Sequence, residues 1–287
     1  MKTFLVYSLC KINLSLRVIK RLNSGLNKIQ SLVTFANLYD VISIKEINST
    51  KDKIKFCGKF KYNINPKNNT ITKTIDIFRK NNYLKNKKFE IYIKKNIPNS
   101  AGLGGGSMNS ASLINFFLST YKLRISQVKL IKIANKIGTD VTLGLKIKNT
   151  FLTGSNKYLM RTKYKLNLYI VLINPGIKCL TKDIYIRNSK FSKPYPKKIF
   201  SNFKKLLNLN NIKLDRNDLE HVVFKQYPKI KFLNYFIKKQ ENCIFSRMTG
   251  SGSTCVGYFN KLASAQKAKR NITKKFPNYW CETAKTI

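Results

Sequence analysis

The stretch "PNSAGLGGGSMNSASLINFF", Pro98 to Phe117, limits the fold of this chain more than any other, because it sets four glycines within five residues directly before a helical pattern. Upstream, "FEIYIKKNI" alternates, placing Phe89, Ile91 and Ile93 on one face of a strand that Pro98 ends. Downstream, from a helix start near Ser107, Met108, Ala111, Ile114 and Leu118 recur at helical spacing and read as a core-facing stripe. A strand, a glycine turn and a helix start in that order leave backbone N–H groups unpaired at the positive end of a helix macrodipole. Such a helix start is an anion site by construction.

The residues after the glycines narrow the class of anion site. A Walker loop closes on Gly-Lys-Ser/Thr, whereas Gly106 is followed by Ser107 and Met108, so a P-loop NTPase is excluded. Gly102-Leu103-Gly104 begins a dinucleotide fingerprint, but Ser107 takes the place of its third glycine and "YKLRISQ" carries no carboxylate for a ribose. A second glycine- and hydroxyl-rich turn, "RMTGSGSTCVGYF" from Arg247 to Phe259, leads into an apolar strand and offers another nest of donors. In "KIGTDVTLGL" a helix from about Val128 stops at Gly138, and Asp140 follows at the mouth of the next strand. With 12 acidic residues and one His in the chain, Asp140 is the group best placed to take a proton from a substrate hydroxyl.

Short strands alternate with helices elsewhere, which predicts an α+β or α/β protein without repeats. "TFLVY", "KINLSLRVI" and "NLYIVLINP" read as strands and "VKLIKIANKI" as a helix. "LTGSNK" breaks the pattern between Gly154 and Lys157 and reads as a domain boundary, and "NSKFSKPYPKK" as a connection inside the later domain. In 287 residues, hydrophobic content of 43% with 18 Phe and 15 Tyr argues for a folded chain despite a formal charge of +44. Lysine is spread among Asn and Ile, as in "NPKNNTITKTIDIFRKNNYLKNKK", so the charge reads as a compositional bias. It does not mark a specific nucleic-acid surface, although its field would attract phosphorylated small molecules. Six cysteines without a C-x-x-C pair or a cluster around His221 indicate a reduced, cytoplasmic protein lacking structural zinc. No run of 18 apolar residues is present, so no membrane span is expected. Residues 1–39 lack acidic residues, but strand pattern begins near Phe4 and no removable leader is expected.

Three motifs, "CKINLSLRV", "PNSAGLGGGSMNSAS" and "RMTGSGSTCVGYF", stand in the order found in the GHMP kinases, the family of galactokinase, homoserine kinase and mevalonate kinase, which the chain resembles over nearly its whole length. Within the family it is most similar to the branch that phosphorylates a cytidine diphosphate-linked polyol. Lys11 to Leu14, Gly138 to Thr142, "NDLE" at Asn217 to Glu220 and Tyr227-Pro228 carry that likeness. The resemblance implies a two-domain α+β fold: an ATP-binding N-terminal domain over 1–155, like the second domain of ribosomal protein S5, and a ferredoxin-like C-terminal domain over 156–287. It implies ATP as co-substrate with Mg²⁺, whose protein ligands it leaves unassigned. The partner implied is a small molecule, with no membrane or specific nucleic acid, and the chain would be a monomer or weak homodimer.

Residue by residue, the resemblance makes Asp140 the base and Lys11 its partner. Gly102, Leu103, Gly104, Gly105, Gly106 and Ser107 would wrap the ATP phosphates, with Asn69, Lys95, Pro98 and Asn109 completing the nucleotide site. Asn13, Leu26, Asn27, Thr181, Tyr185, Gly250, Ser251 and Gly252 fall on the acceptor side. Where the branch has Gly-Tyr-His, its Tyr stacking on cytosine, this chain has Gly25-Leu26-Asn27, and Tyr185 aligns with a second stacking aromatic. Thr142 replaces a Pro and Gly144 a bulky residue, which predicts a change in local stiffness without loss of chemistry. Two other readings stay open at this point: a family member with another small hydroxylated substrate, and a decayed kinase that binds nucleic acid through its charge.

Overall fold

The computed structural model describes residues 2–23, 25–62, 64–154, 158–196 and 203–287. Two compact units interleave along the chain: one comprises Met1–Cys10, Leu38–Asn99 and Gly104–Ile147, the other Lys11–Asn37, Ser100–Leu103 and Lys148–Ile287. Packing therefore divides the chain otherwise than by a single cut near Gly154. Strands β5 (Asn149–Gly154) and β6 (Tyr158–Thr162), on either side of that expected boundary, pair antiparallel within the second unit, Thr153 opposite Tyr158. Ser155, Asn156 and Lys157 of the expected boundary, like Lys197 and Lys198 of the expected connection, lie outside the described residues.

Strands β1 (Thr3–Arg21) and β2 (Asn27–Ile47) pair with each other and contribute to both units. The two short strands expected near the start are thus one long strand, because no Gly or Pro interrupts the apolar alternation between them. The first unit adds β3 (Lys53–Cys57), α1 (Thr70–Lys80), β4 (Lys88–Lys94), α2 (Gly105–Thr120), α3 (Gln127–Ile137) and α4 (Val141–Gly144). Strand β4 runs parallel to β3 and antiparallel to β2, with Ile42 opposite Ile93 and Ile44 opposite Ile91. The inward residues Phe89, Ile91 and Ile93 meet Phe78 of α1, Ala111, Ile114 and Phe117 of α2, and Ile137 of α3 in one core. The expected α2 stripe is there, and Leu113 and Phe116 are buried as well, so this helix is enclosed on most sides.

In the second unit β7 (Tyr169–Asn174) is followed by α5 (Thr181–Arg187), α6 (Phe203–Leu206), α7 (Leu209–Leu214), α8 (Glu220–Gln226) and α9 (Pro228–Lys238), then β8 (Phe245–Met248), β9 (Cys255–Phe259), α10 (Leu262–Lys275) and β10 (Trp280–Lys285). The sheet order β10-β7-β9-β8 is antiparallel throughout, with α9 against β8 and β9 and α10 against β7 and β10. This is the ferredoxin-like βαββαβ arrangement. Its core joins Val171 and Ile173 of β7 to Leu233 and Ile237 of α9 and Ala268 and Ile272 of α10.

Glu220, at the start of α8, ties that helix to β8 by accepting the Met248 N–H at 2.7 Å. Burial pushes its carboxyl up to about 7 from 4.5, although the same hydrogen bond and Arg247 pull the other way. The folded chain thus holds a proton that the unfolded chain releases at lower pH. The resulting stability is fully present below about pH 4.5 and is lost as pH rises through 7, up to about 3 kcal/mol. Glu220→Gln keeps the acceptor without the charge. In urea titrations the wild type is expected to lose stability from pH 5 to pH 8 relative to this variant.

Candidate active site

In the first unit the helix start expected from the glycine cluster forms two residues earlier than Ser107, at Gly105. Gly104 caps α2 with φ +68°, a conformation suited to glycine, and Met108 N–H makes the first helical bond to its carbonyl at 2.9 Å. The N–H groups of Gly105, Gly106 and Ser107 precede that bond, and neither a capping side chain nor an acidic residue competes for them. Thr70 Oγ1, at the start of α1, donates to Gly106 O at 2.9 Å and fixes the rim. Asn69, placed by resemblance on the nucleotide, caps α1: its Oδ1 accepts from Ile71 and Thr72 N–H at 2.9 and 3.0 Å, and its Nδ2 donates to Asn65, Pro66 and Thr72.

Beneath this turn lies a group that sequence reasoning missed. Asp40 of β2 is fully buried; its Oδ2 receives Lys95 Nζ and, at 3.0 Å, Asn109 Nδ2, while its Oδ1 receives Asn96 and Ile97 N–H at 2.8 and 2.9 Å. Those last two bonds draw Asn96 and Ile97 out of the ladder. That is why β4 stops at Lys94, short of the buried Pro98 expected to end it. Gly138 ends α3 beside the first turn of α2: a Cβ there would sit 3.5 Å from Ser107 Oγ. Asp140 is followed by the short helix α4 where a strand was expected. Gly144, the residue that replaces a bulky one, lets α4 lie against α2, since a Cβ on it would come within 2.6 Å of Ala111 Cβ.

In the second unit the three motifs meet. Lys11 Nζ donates to Asn13 Oδ1 at 2.8 Å and to Gly102 O at 3.4 Å, and Lys11 N–H bonds Leu103 O at 3.0 Å. Asn13 N–H donates to Thr249 Oγ1 at 2.9 Å, and Thr249 Oγ1 in turn to Gly102 O at 3.3 Å. Gly102, with φ +77°, presses on the second glycine turn so closely that a Cβ would lie 2.1 Å from Thr249 O. That turn is held from behind by Asn217 Nδ2, which donates to Met248 O and Gly250 O at 2.8 and 2.7 Å. Thr181 Oγ1 and Ser251 Oγ are 2.9 Å apart, joining α5 to the same turn. Gly250 and Gly252 both take positive φ. Tyr185 stands in helix α5, not in a strand, half-buried against the core with its carbonyl bonded by Arg21 Nη2. Leu26 is 56% exposed, and Asn27 Oδ1 is shielded from solvent without a hydrogen-bond partner.

Two family models match the chain: the GHMP kinases N terminal domain over residues 69–146 and the GHMP kinases C terminal over 197–278. A curated 4-diphosphocytidyl-2-C-methyl-D-erythritol kinase of Pelagibacter ubique (strain HTCC1062) is 41% identical over the full length of both chains. The chain belongs to the GHMP kinases. A similarly named kinase of Wolbachia pipientis wMel is 33% identical over 99% of each chain. A crystal structure of 4-(cytidine 5'-diphospho)-2C-methyl-D-erythritol kinase superposes with a TM-score of 0.80 at 21% identity, over 98% of this chain and 99% of that one. Homoserine kinase from Cytophaga hutchinsonii gives a TM-score of 0.69 at 16% identity, over 100% of this chain and 98% of the other. Both likenesses are of fold, the two-domain α+β fold of the GHMP kinases.

The backbone contact at Gly102 is the least forgiving point of the site. Gly102→Ala is expected to cost more than about 2 kcal/mol in a denaturant titration, from overpacking together with a positive φ. Gly176→Ala, at a positive φ in open space, is expected to cost about 1 kcal/mol.

Proposed function

We propose that this GHMP kinase transfers the γ-phosphoryl group of ATP to the 2-hydroxyl of 4-diphosphocytidyl-2-C-methyl-D-erythritol, a step of non-mevalonate isoprenoid precursor synthesis. The observation that carries this reading is the 41% identity, over the full length of both chains, to a kinase named for that substrate. Phosphoryl transfer asks mainly for positioning and charge stabilisation, and this chain's own groups supply both. The open N–H groups of Gly105 to Ser107 receive the ATP phosphates, and Gly250, Ser251 and Gly252 receive the diphosphate of the acceptor. Asp140 takes the hydroxyl proton as the oxygen bonds the γ-phosphorus and the bond to the β-phosphate oxygen breaks, releasing ADP. Lys11, oriented by Asn13 and Gly102, stabilises charge on the reacting oxygen.

No cluster of three ligating side chains is present among the described residues, so a Mg²⁺ ion would come with the nucleotide phosphates and not rest in a cage of protein ligands. Bound there, it would neutralise charge on the phosphate oxygens. At the cytidine end Tyr185 offers a ring, Leu26 an apolar surface and Asn27 an amide whose shielded Oδ1 would accept from the cytosine amino group on turning outward. The matched ranges, 69–146 and 197–278, support reading residues 1–155 as an ATP-binding part of the sequence and 156–287 as a second part, although packing interleaves the two units along the chain. The six cysteines, none in a C-x-x-C pair, suit a cytoplasmic setting, and no helix among the described residues is long and apolar enough to cross a membrane. The chain acts as a monomer or weak homodimer without specific nucleic acid.

Asp140→Asn is expected to lower kcat about 10²- to 10⁴-fold, read by ADP release, with ATP affinity retained. Turnover within a few-fold of wild type would remove Asp140 as the base. Gly105→Val is expected to weaken ATP binding at least tenfold, because the side chain would enter the space beside Lys95 and Ile97 and displace the loop. Restoring the stacking pair with Leu26→Tyr and Asn27→His is expected to lower KM for the cytidyl substrate about fivefold or more, given about 1–3 kcal/mol for stacking one base. An unchanged KM would place the cytosine elsewhere.

A further inference from the structure

Asp40 is one of 12 acidic residues in a chain of formal charge +44, and it is wholly removed from water. A buried carboxylate is costly unless its charge and its lone pairs are satisfied. Four donors from two parts of the first unit satisfy this one. Lys95 Nζ, with Asn96 and Ile97 N–H, comes from the segment after β4, and Asn109 Nδ2 comes from the second turn of α2. Lys95 is only 2% exposed, and its ammonium faces Asp40. The backbone of Gly105 rests on this pair: a Cβ there would stand 3.3 Å from Lys95 Nζ and 3.8 Å from Asp40 Oδ2. Lys95 therefore meets the helix start from its protein side.

Resting on the kinase reading, we infer that Asp40 is a positioning residue for the nucleotide phosphates, acting through Lys95 and Asn109 on the N-terminus of α2. Asp40 anchors Asn109, one turn into the helix, and the segment on which Gly105 lies, so the N–H groups of Gly105 and Gly106 are set before any anion arrives. It also neutralises Lys95, which leaves the anion site to backbone donors. Lys95 thus acts on the nucleotide through the loop, as half of a buried pair.

The test compares ATP, ADP and adenosine binding by calorimetry or ligand displacement in the wild type, Asp40→Asn, Lys95→Met and the double variant. Folding of each is checked by its thermal transition. The double variant is electroneutral and keeps the test available if a single variant, left with an unpaired buried charge, does not fold. Each folded variant is expected to bind ATP and ADP at least tenfold more weakly while adenosine affinity stays within twofold, and the double variant to lose no more than the worse single. Losses confined to phosphorylated ligands distinguish positioning of the loop from general destabilisation. Wild-type ATP binding with unchanged affinity in the folded variants, or equal loss of adenosine, would overturn the inference and leave the kinase reading standing. A wild-type chain that binds no ATP would overturn both.

Discussion

The site depends on a contact between backbones that admits no side chain. Gly102 lies so close to Thr249 that one added methyl would overlap its carbonyl oxygen, and a Cβ on Gly250 would in return come within 3.0 Å of Gly102 O. Around that contact Lys11, Asn13, Thr249 and Asn217 form a hydrogen-bonded frame, in which Lys11 and Thr249 bond Gly102 O, Asn217 bonds Met248 O and Gly250 O, and Asn13 links Lys11 to Thr249. Three motifs far apart in sequence acquire fixed mutual geometry because two of them are glycine-rich. Preorganised donors of this kind cost little reorganisation when charge develops on them, which is what phosphoryl chemistry requires.

The same economy of charge runs through the rest of the chain. Carboxylates are few, and many of them hold a backbone segment or a cation in place. Asp52 accepts both Arg79 Nη atoms and the Phe89 N–H; Asp218 accepts Val18 N–H; Asp215 is paired with Arg17; Glu220 holds Met248 N–H. In so basic a chain these acids act as clamps between elements, and losing one leaves unpaired donors as well as an unbalanced charge. Most of the lysines lie on exposed faces, consistent with a compositional bias that the fold tolerates.

How much could be read in advance depends on how local the encoding is. The strand, glycine turn and helix from Phe89 onward were legible because alternation, glycine and helical spacing are short-range signals, and the core bears them out at Phe89, Ile91, Ile93 and Ala111. The second glycine turn was legible for the same reason. Asp40 was not, because its meaning depends on Lys95 and Asn109, 55 and 69 positions away, and nothing local distinguishes "LYDV" from any other strand. Asn217 likewise gained a role only through the turn it holds. The strand expected after Asp140 became a short helix packed on α2, a tertiary preference that Gly144 permits and local propensity does not announce. The interleaving of the two units arises because β1 and β2 are long enough to serve both, a length hidden by reading β1 as two strands.

The most direct measurement is a competition: the purified chain with ATP and Mg²⁺ is offered equal amounts of 4-diphosphocytidyl-2-C-methyl-D-erythritol, homoserine and mevalonate, and the products are weighed by mass spectrometry. One product is expected, the cytidyl compound carrying a single added phosphoryl group. Phosphorylated homoserine or mevalonate beside an untouched cytidyl compound would contradict the assignment.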